Sequence, residues 1–444
     1  MNISISSHFT YDRLLKFVLP SVLTTVFSFS YGVADGMIVS NFVGKIAFAA
    51  VNIIMPFLVV VAAVGFMLGS GGAAVVSVTL GEGDNERAKR YFTLFAIVTV
   101  ILGVIFALLN YIFMLDVARL LGAEGELFTN GVLYGRILAF SLPGFMMLFF
   151  YQSFFPVAGK PKLGLYLTVL AGLSNIILDL LFVAVFGWGL AGAAYATLLS
   201  EFMGGFLPFF YFSRPNDSLL FFVKPKFDLV VLAKSCFNGV SEFLNIVSYS
   251  VVTILYNYQL LNLLSDNGVA AYGVISYVSY VFIGCFSGYA MGCVPLLGYN
   301  HGARNFVELR SLFKKSIIIL SCTGVVMTVL AYLSAAPIAK IFVGYDKELC
   351  AITTYGFQLY SLAFLLYGIN VFGSAVFTAF NNGLISGIVS FMHVLAFQVL
   401  AVLILPKYFG LEGIWLSIGV AEIFSLITTV GFIVCFWNVY FKEK

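Results

Sequence analysis

Long apolar runs alternate with short polar turns along the whole chain. Twelve runs stand out. Six fall in the first half, at 14–39, 50–80, 91–114, 133–157, 163–186 and 190–213. Six fall in the second, at 231–262, 269–299, 311–334, 352–379, 384–405 and 412–438. Each is long enough to cross a hydrocarbon core as a helix, which takes about 20 residues. The runs are continuous and do not alternate residue by residue, so they predict membrane helices and not barrel strands. The expected fold is an all-α polytopic membrane protein with twelve transmembrane helices.

Composition agrees. Of 444 residues, 61% are hydrophobic and 10% are charged, where a soluble domain carries roughly 25% charged residues. That excludes a water-soluble enzyme and a disordered chain. The net charge is +3, with no polybasic tract, so no nucleic-acid partner is expected. No cleavable signal peptide is expected, because the first run is too long and carries Asp35. The six cysteines all lie in the second half, without a CxxC pair, and read as reduced small hydrophobes.

The basic residues set an orientation. With the N-terminus inside, 17 of the Lys and Arg residues fall on the inner side and six on the outer. Both termini are therefore expected in the cytoplasm of a multi-pass cell-membrane protein.

The chain also repeats. Shifted by 221 residues, Gly71 falls on Gly292, Gly81 on Gly302, Gly103 on Gly324, Gly135 on Gly356, Gly189 on Gly410 and Gly192 on Gly413; Glu201 falls on Glu422. Two six-helix lobes are predicted, at 1–212 and 229–444, joined by a cytoplasmic linker at 213–228 (SRPNDSLLFFVKPKFD, over 213–228). Because six is even, both lobes share one orientation, and a pseudo-two-fold axis along the membrane normal relates them. Two such lobes enclose a central cleft, and rocking between them gives alternating access.

Five acids fall inside the runs: Asp35, Asp179, Glu201, Glu242 and Glu422. A charge at mid-bilayer costs roughly 2.5–3.5 kcal/mol on insertion scales, so such residues are functional candidates. Asp35, Asp179 and Thr197 lie about 6–10 Å below the outer ends of their helices, at 1.5 Å per residue. Asn175 and Asp179 are four apart and share a helix face. These four can form one polar cluster inside the first lobe, with Glu201 a turn below Thr197. Two carboxylates there suit proton uptake, and with an amide oxygen and a hydroxyl they equally suit Na⁺; the residues leave both open. Glu201 and Glu422 occupy equivalent places, which favours a structural role such as capping a backbone break; lining the cleft is the other reading. Glu242 is read either as a coupling or substrate contact or as a local hydrogen bonder. His393, inside the run 384–405, is read as a hydrogen-bonded packing residue, with titration as the other reading. Pro20, fifteen residues before Asp35, is a candidate hinge where span 1 bends when the charge at Asp35 changes. No metal cluster and no Walker loop are present in the pattern, so no cofactor is expected.

These residues resemble the MATE (multidrug and toxic compound extrusion) family. The resemblance rests on the proline of span 1 and then YGVADGMIVSNFVG around Asp35. It extends to LGEGDNERAKRYF after span 2 with its echo YNHGARNFVELRSLF after span 8, to QSFFPVAGKPKLG, SNIILDLLF and GLAGAAYATLLSE. The chain looks closer to the DinF-like branch than to the NorM-like one. The DinF-like pattern, with its cation site in the N-terminal lobe, matches Asp35, Asn175, Asp179 and Thr197. The NorM-like pattern wants acids in spans 7 and 10, and 352–379 holds none. The resemblance implies a cation-coupled (H⁺ or Na⁺) antiporter exporting organic cations or amphiphiles, without enzymatic activity. A monomer in contact with membrane lipid is expected. A flippase for a lipid-linked precursor is the alternative within the same superfamily, and the lack of Lys or Arg deep in the runs argues against it. A receptor gives the repeat no purpose, and an intramembrane enzyme would need a catalytic constellation that the runs do not hold.

Overall fold

The computed structural model describes residues 5–214 and 216–442; Lys444, one of the 17 basic residues assigned to the inner side, lies outside them. Described secondary structure is helical throughout. The helices are α1 (Tyr11–Phe42), α2 (Lys45–Gly81), α3 (Asn85–Leu120), α4 (Gly125–Ala139), α5 (Leu142–Val157), α6 (Pro161–Asp179) and α7 (Gly189–Phe212). The second half holds α8 (Leu229–Gly302), α9 (Phe306–Val343), α10 (Lys347–Ser361), α11 (Phe364–Ala379), α12 (Gly383–Ser390) and α13 (Phe397–Tyr440).

These resolve into the twelve predicted spans. α8 is two spans, broken at Ser265 with φ 52°. α4 and α5 form one bent span, with 59° between them, and α10 and α11 another, with 48°. A stretch of 58 helical residues over Gly383–Tyr440 is too long for one crossing and breaks at Gly410, φ 54°. The helices overrun the apolar windows by several residues, because polar caps lie outside hydrocarbon. Asp84 accepts from Arg87 N–H to start α3, and Asn305 accepts from Glu308 N–H to start α9. These two caps are 221 residues apart, each satisfying an orphan donor of a first turn.

The pseudo-two-fold axis is visible at one contact. A side chain at Gly81 would run into the Tyr299 carbonyl, and one at Gly302 into the Val78 carbonyl. Gly81 and Gly302 are equivalent, and so are Val78 and Tyr299. The contact is self-complementary, as a two-fold axis requires. Both glycines end their helices at the same face, so the axis runs along the helices. A further symmetric pair lies beside it: Gly71 packs on Ser235 and Gly239, and Gly292 packs on Val18 and Ser21. At Gly71, Gly81 and Gly302 only glycine lets the backbones approach so closely.

All these contacts lie in the half of the molecule that carries the chain ends. There one hydrophobic core joins Phe17, Ala74, Phe92 and Phe154 of the first lobe to Leu296 and Phe372 of the second, and it continues through the second lobe to Trp415 at the opposite end. In the opposite half the first lobe has a core of its own, around Val39, Ile54, Leu58, Met114, Leu138 and Ala193. The lobes are thus sealed together at the face bearing the chain ends. The leading segment adds to the seal: Phe9 N–H and the His8 ring both bond the Glu308 carboxylate of α9, at 2.9 and 2.6 Å.

The stretch between α7 and α8 packs back on the first lobe. Phe222 stacks on Phe92 with ring centroids 5.1 Å apart, and Val223 N–H donates to Thr93 Oγ1. Asp217 pairs with Lys160 at 2.6 Å, and the ammonium holds its carboxyl below the usual carboxylate range.

Candidate functional site

The first lobe gathers the predicted cluster. Asp35 comes from α1, Asn175 and Asp179 from α6, Thr197 and Glu201 from α7, and all five are buried; Asp179 is 0% exposed. Asn175 Nδ2 donates to Thr197 Oγ1 at 3.4 Å. The Asp35 and Asp179 carboxyls are close neighbours within this cluster. Ser141, at the bend between α4 and α5, stands beside Glu201. Helix geometry explains the convergence. Asn175 and Asp179 face one way on α6, and a π-helical turn, Leu180–Val185, follows at once. Such turns commonly mark functional positions, because they skew the local register of side chains.

The cluster is short of donors. Asp35 Oδ1, Asn175 Oδ1, both Asp179 carboxyl oxygens, Glu201 Oε2 and the Tyr134 hydroxyl are buried without a hydrogen-bond partner. Among the described residues no Lys or Arg forms an ion pair with these acids. Buried acceptors left bare cost about 1–3 kcal/mol each. A proton or a small cation is the natural complement: the oxygens are hard donors of the kind that hold alkali ions.

Two members were not anticipated. Tyr134 on α4 is fully buried, with its hydroxyl beside Thr197 and its ring near all three acids. Tyr31 on α1, one turn before Asp35, flanks Asp35 and Glu201. In a chain with 24 tyrosines, no sequence signal separates these two from the rest.

The second lobe differs. Glu422 on α13 is 0% exposed. It accepts from Asn370 Nδ2 of α11 at 2.7 Å, and it pairs with His393 Nε2 at 2.8 and 3.0 Å to its two oxygens. Asn370 also reaches the Glu422 backbone carbonyl at 3.0 Å. His393 sits in the second π-helical turn, Phe391–Ala396. Glu422 therefore bonds side chains from two neighbouring helices.

Glu242 stands apart from both clusters. It is half-buried and accepts from Asn245 at 3.4 Å, one turn from the Gly239 contact that joins the lobes. Pro20 is buried within an unbroken α1, and Thr24 Oγ1 donates to its carbonyl at 2.8 Å.

Comparison with known proteins places the chain. The MatE family description matches residues 20–181 and again residues 240–404, one segment in each half. A relative from Bacillus subtilis (strain 168), "Probable multidrug resistance protein YoeA", is 27% identical over 438 residues, covering 95% of this chain and 93% of its own. "Multidrug export protein MepA" of Staphylococcus haemolyticus (strain JCSC1435) is 25% identical, covering 93% and 90%. In three dimensions the chain superposes on a MATE crystallised in complex with MaL6, with a TM-score of 0.91, 22% identity and 98% of both chains covered. With most of its length matched on the same twelve-helix frame, this chain belongs to the MatE family.

Proposed function

We propose that this protein is a secondary antiporter that exports amphipathic, often cationic, small molecules in exchange for H⁺ or Na⁺. The observation that carries the reading is the donor-poor cluster of the first lobe. Asp35 and Asp179, with Asn175 and Thr197, form the coupling site, in the manner of the DinF-like branch. The relatives named for multidrug resistance and export support the substrate class.

The mechanism follows from the chemistry of that cluster. Its two aspartates face each other out of water, so charge on both is unfavourable and an entering proton or Na⁺ is stabilised. Uptake changes the charge of α1 at Asp35. Pro20, which lacks the N–H of an unbroken ladder, lets α1 bend about the seam where Ser21 and Val22 pack on Gly288. The bend moves the first lobe against the second. Ion and substrate favour opposite conformations, so their coupling is reciprocal. The face bearing the chain ends is taken as cytoplasmic, from the excess of Lys and Arg there. The working unit is a monomer of two lobes, 1–212 and 229–444, joined by the 213–228 linker. Glu242 lies near the seam and serves as a substrate contact. A flippase is disfavoured, since an anionic headgroup would want cations in the cleft.

The test is efflux of tetraphenylphosphonium from proteoliposomes under a pH gradient or a Na⁺ gradient applied separately. One gradient is expected to drive transport, and Asp179→Asn is expected to abolish it. Gradient-driven transport that persists in Asp179→Asn would remove the first-lobe site. A folded parent that moves no cation under either gradient would remove the drug-cation reading.

A further inference from the structure

We propose that the His393–Glu422–Asn370 cluster is a second proton-exchange site, one for the C-terminal lobe, so that each lobe carries its own ionisable centre. The inference rests on the antiport reading above and extends it to the other half of the molecule.

Four observations carry it. First, Glu422 occupies the position in its lobe that Glu201 occupies in the first, and Glu201 lies with the Asp35–Asp179 cluster. The repeat thus places an acid at the same depth in both lobes. Second, the partners differ. Glu201 has an oxygen with no donor, while Glu422 has a histidine and an amide. Third, each cluster sits at a π-helical turn, Leu180–Val185 and Phe391–Ala396, in the fifth helical crossing of its own lobe. His393 lies within the second turn, and Asp179 immediately precedes the first. Fourth, Asn370 Oδ1 is buried with no partner, so the network retains an empty acceptor that a shifted proton or a water can meet.

The geometry makes the chemistry specific. His393 Nε2 stands 2.8 and 3.0 Å from the two oxygens of Glu422, a spacing at which one proton is shared between the ring nitrogen and the carboxyl group. The acceptors are thus a single nitrogen and a single carboxyl group, a geometry that suits H⁺. A metal or alkali ion would have to displace the imidazole, which already occupies both carboxylate oxygens. The titratable groups facing the pair are phenols: Tyr256 from α8 and Tyr367 from α11, the latter with its ring edge-on to the imidazole at 5.2 Å. Among the described residues the only ion pair Glu422 makes is with His393.

The test counts protons released when tetraphenylphosphonium binds to the full-length detergent-solubilised protein. Calorimetry in buffers of different ionisation enthalpy gives the count. His393→Gln keeps a donor toward Glu422 and does not titrate. The parent is expected to release more protons than either His393→Gln or Asp179→Asn, and the double variant fewest. Release that falls in Asp179→Asn and stays at the parent value in His393→Gln would overturn the second site alone. A parent that binds the cation and releases no proton would overturn both the second site and proton coupling. Should His393→Gln fold poorly, Asn370→Ser replaces it: the pair survives without its amide, so the pH at which the proton leaves must shift. An unchanged pH of release in Asn370→Ser would also overturn the proposal.

Discussion

The two lobes share a backbone plan and hold opposite kinds of polar centre. In the first, three carboxyl groups and an amide oxygen converge beside a phenol, and several of these oxygens have no hydrogen-bond partner. In the second, the fully buried Glu422 carboxylate is met by an imidazole and an amide at hydrogen-bond distance. A duplicated scaffold therefore does not duplicate its chemistry. The equivalent glutamates, Glu201 and Glu422, keep the same depth, and their meaning is set by what the neighbouring helices bring. An unsatisfied cluster is poor for stability and well suited to a visiting ion. A paired cluster supports the fold, and any proton it exchanges must come out of an existing bond.

The contrast predicts opposite stability effects. Glu422→Ala strands a buried imidazole and an amide, and should cost about 3–5 kcal/mol, the range for breaking a buried pair. Asp179→Asn removes charge from a donor-poor cluster and supplies an N–H, so it should be neutral or raise stability by up to about 1–3 kcal/mol. Thermal unfolding in detergent measures both. If the two changes destabilise alike, the lobes do not differ in the way described.

A change at the seam should act on both centres together. Gly81→Val drives a side chain into the Tyr299 carbonyl, and overpacking of this kind costs about 1–3 kcal/mol. The strain exists only while the lobes are closed at that face. The expected result is a shift toward the conformation open there, read as faster labelling of a cysteine placed at Ser77, which faces Gly298 across the seam. Labelling at the parental rate would show that the glycines do not set the closure.

The smallest expected effect sharpens the ion question. Thr197→Val loses a long hydrogen bond to Asn175, about 0.5–1.5 kcal/mol. A proton site has little need of that hydroxyl, whereas an alkali ion loses a ligand. Na⁺-driven efflux should therefore fall by about tenfold or less, at 1.4 kcal/mol per decade, with pH-driven efflux near the parental rate. Equal losses under both gradients would mean that Thr197 positions Asn175 and does not contact the ion.

Much of the frame was legible in order along the chain. The twelve apolar runs appear as twelve crossings, and the glycines at 81 and 302 that mark the repeat each pack on the backbone of the other's helix. The clustering of Asp35, Asn175, Asp179 and Thr197 followed from depth and from four-residue spacing on one helix face. The 59° bend inside the fourth crossing falls at Pro143, which removes a backbone bond and is legible as a kink, whereas no proline or glycine stands at the 48° break of the tenth. His393 is legible as a hydrogen-bonded residue of its run, but its partner, Glu422, is not.

Hydrophobicity is a local property, so the sequence alone determined which segments cross the membrane, how many there are, and which acids must lie within them. It also determined the repeat, because that is a comparison of the chain with itself. Partnership is not local. Whether Glu201 meets Ser141, or Glu422 meets His393, depends on the rotation and tilt of helices far apart in sequence, fixed by close packing at glycines and by turns that skew the register. Only the tertiary structure decided that the first lobe leaves its carboxylates bare while the second gives its carboxylate a partner.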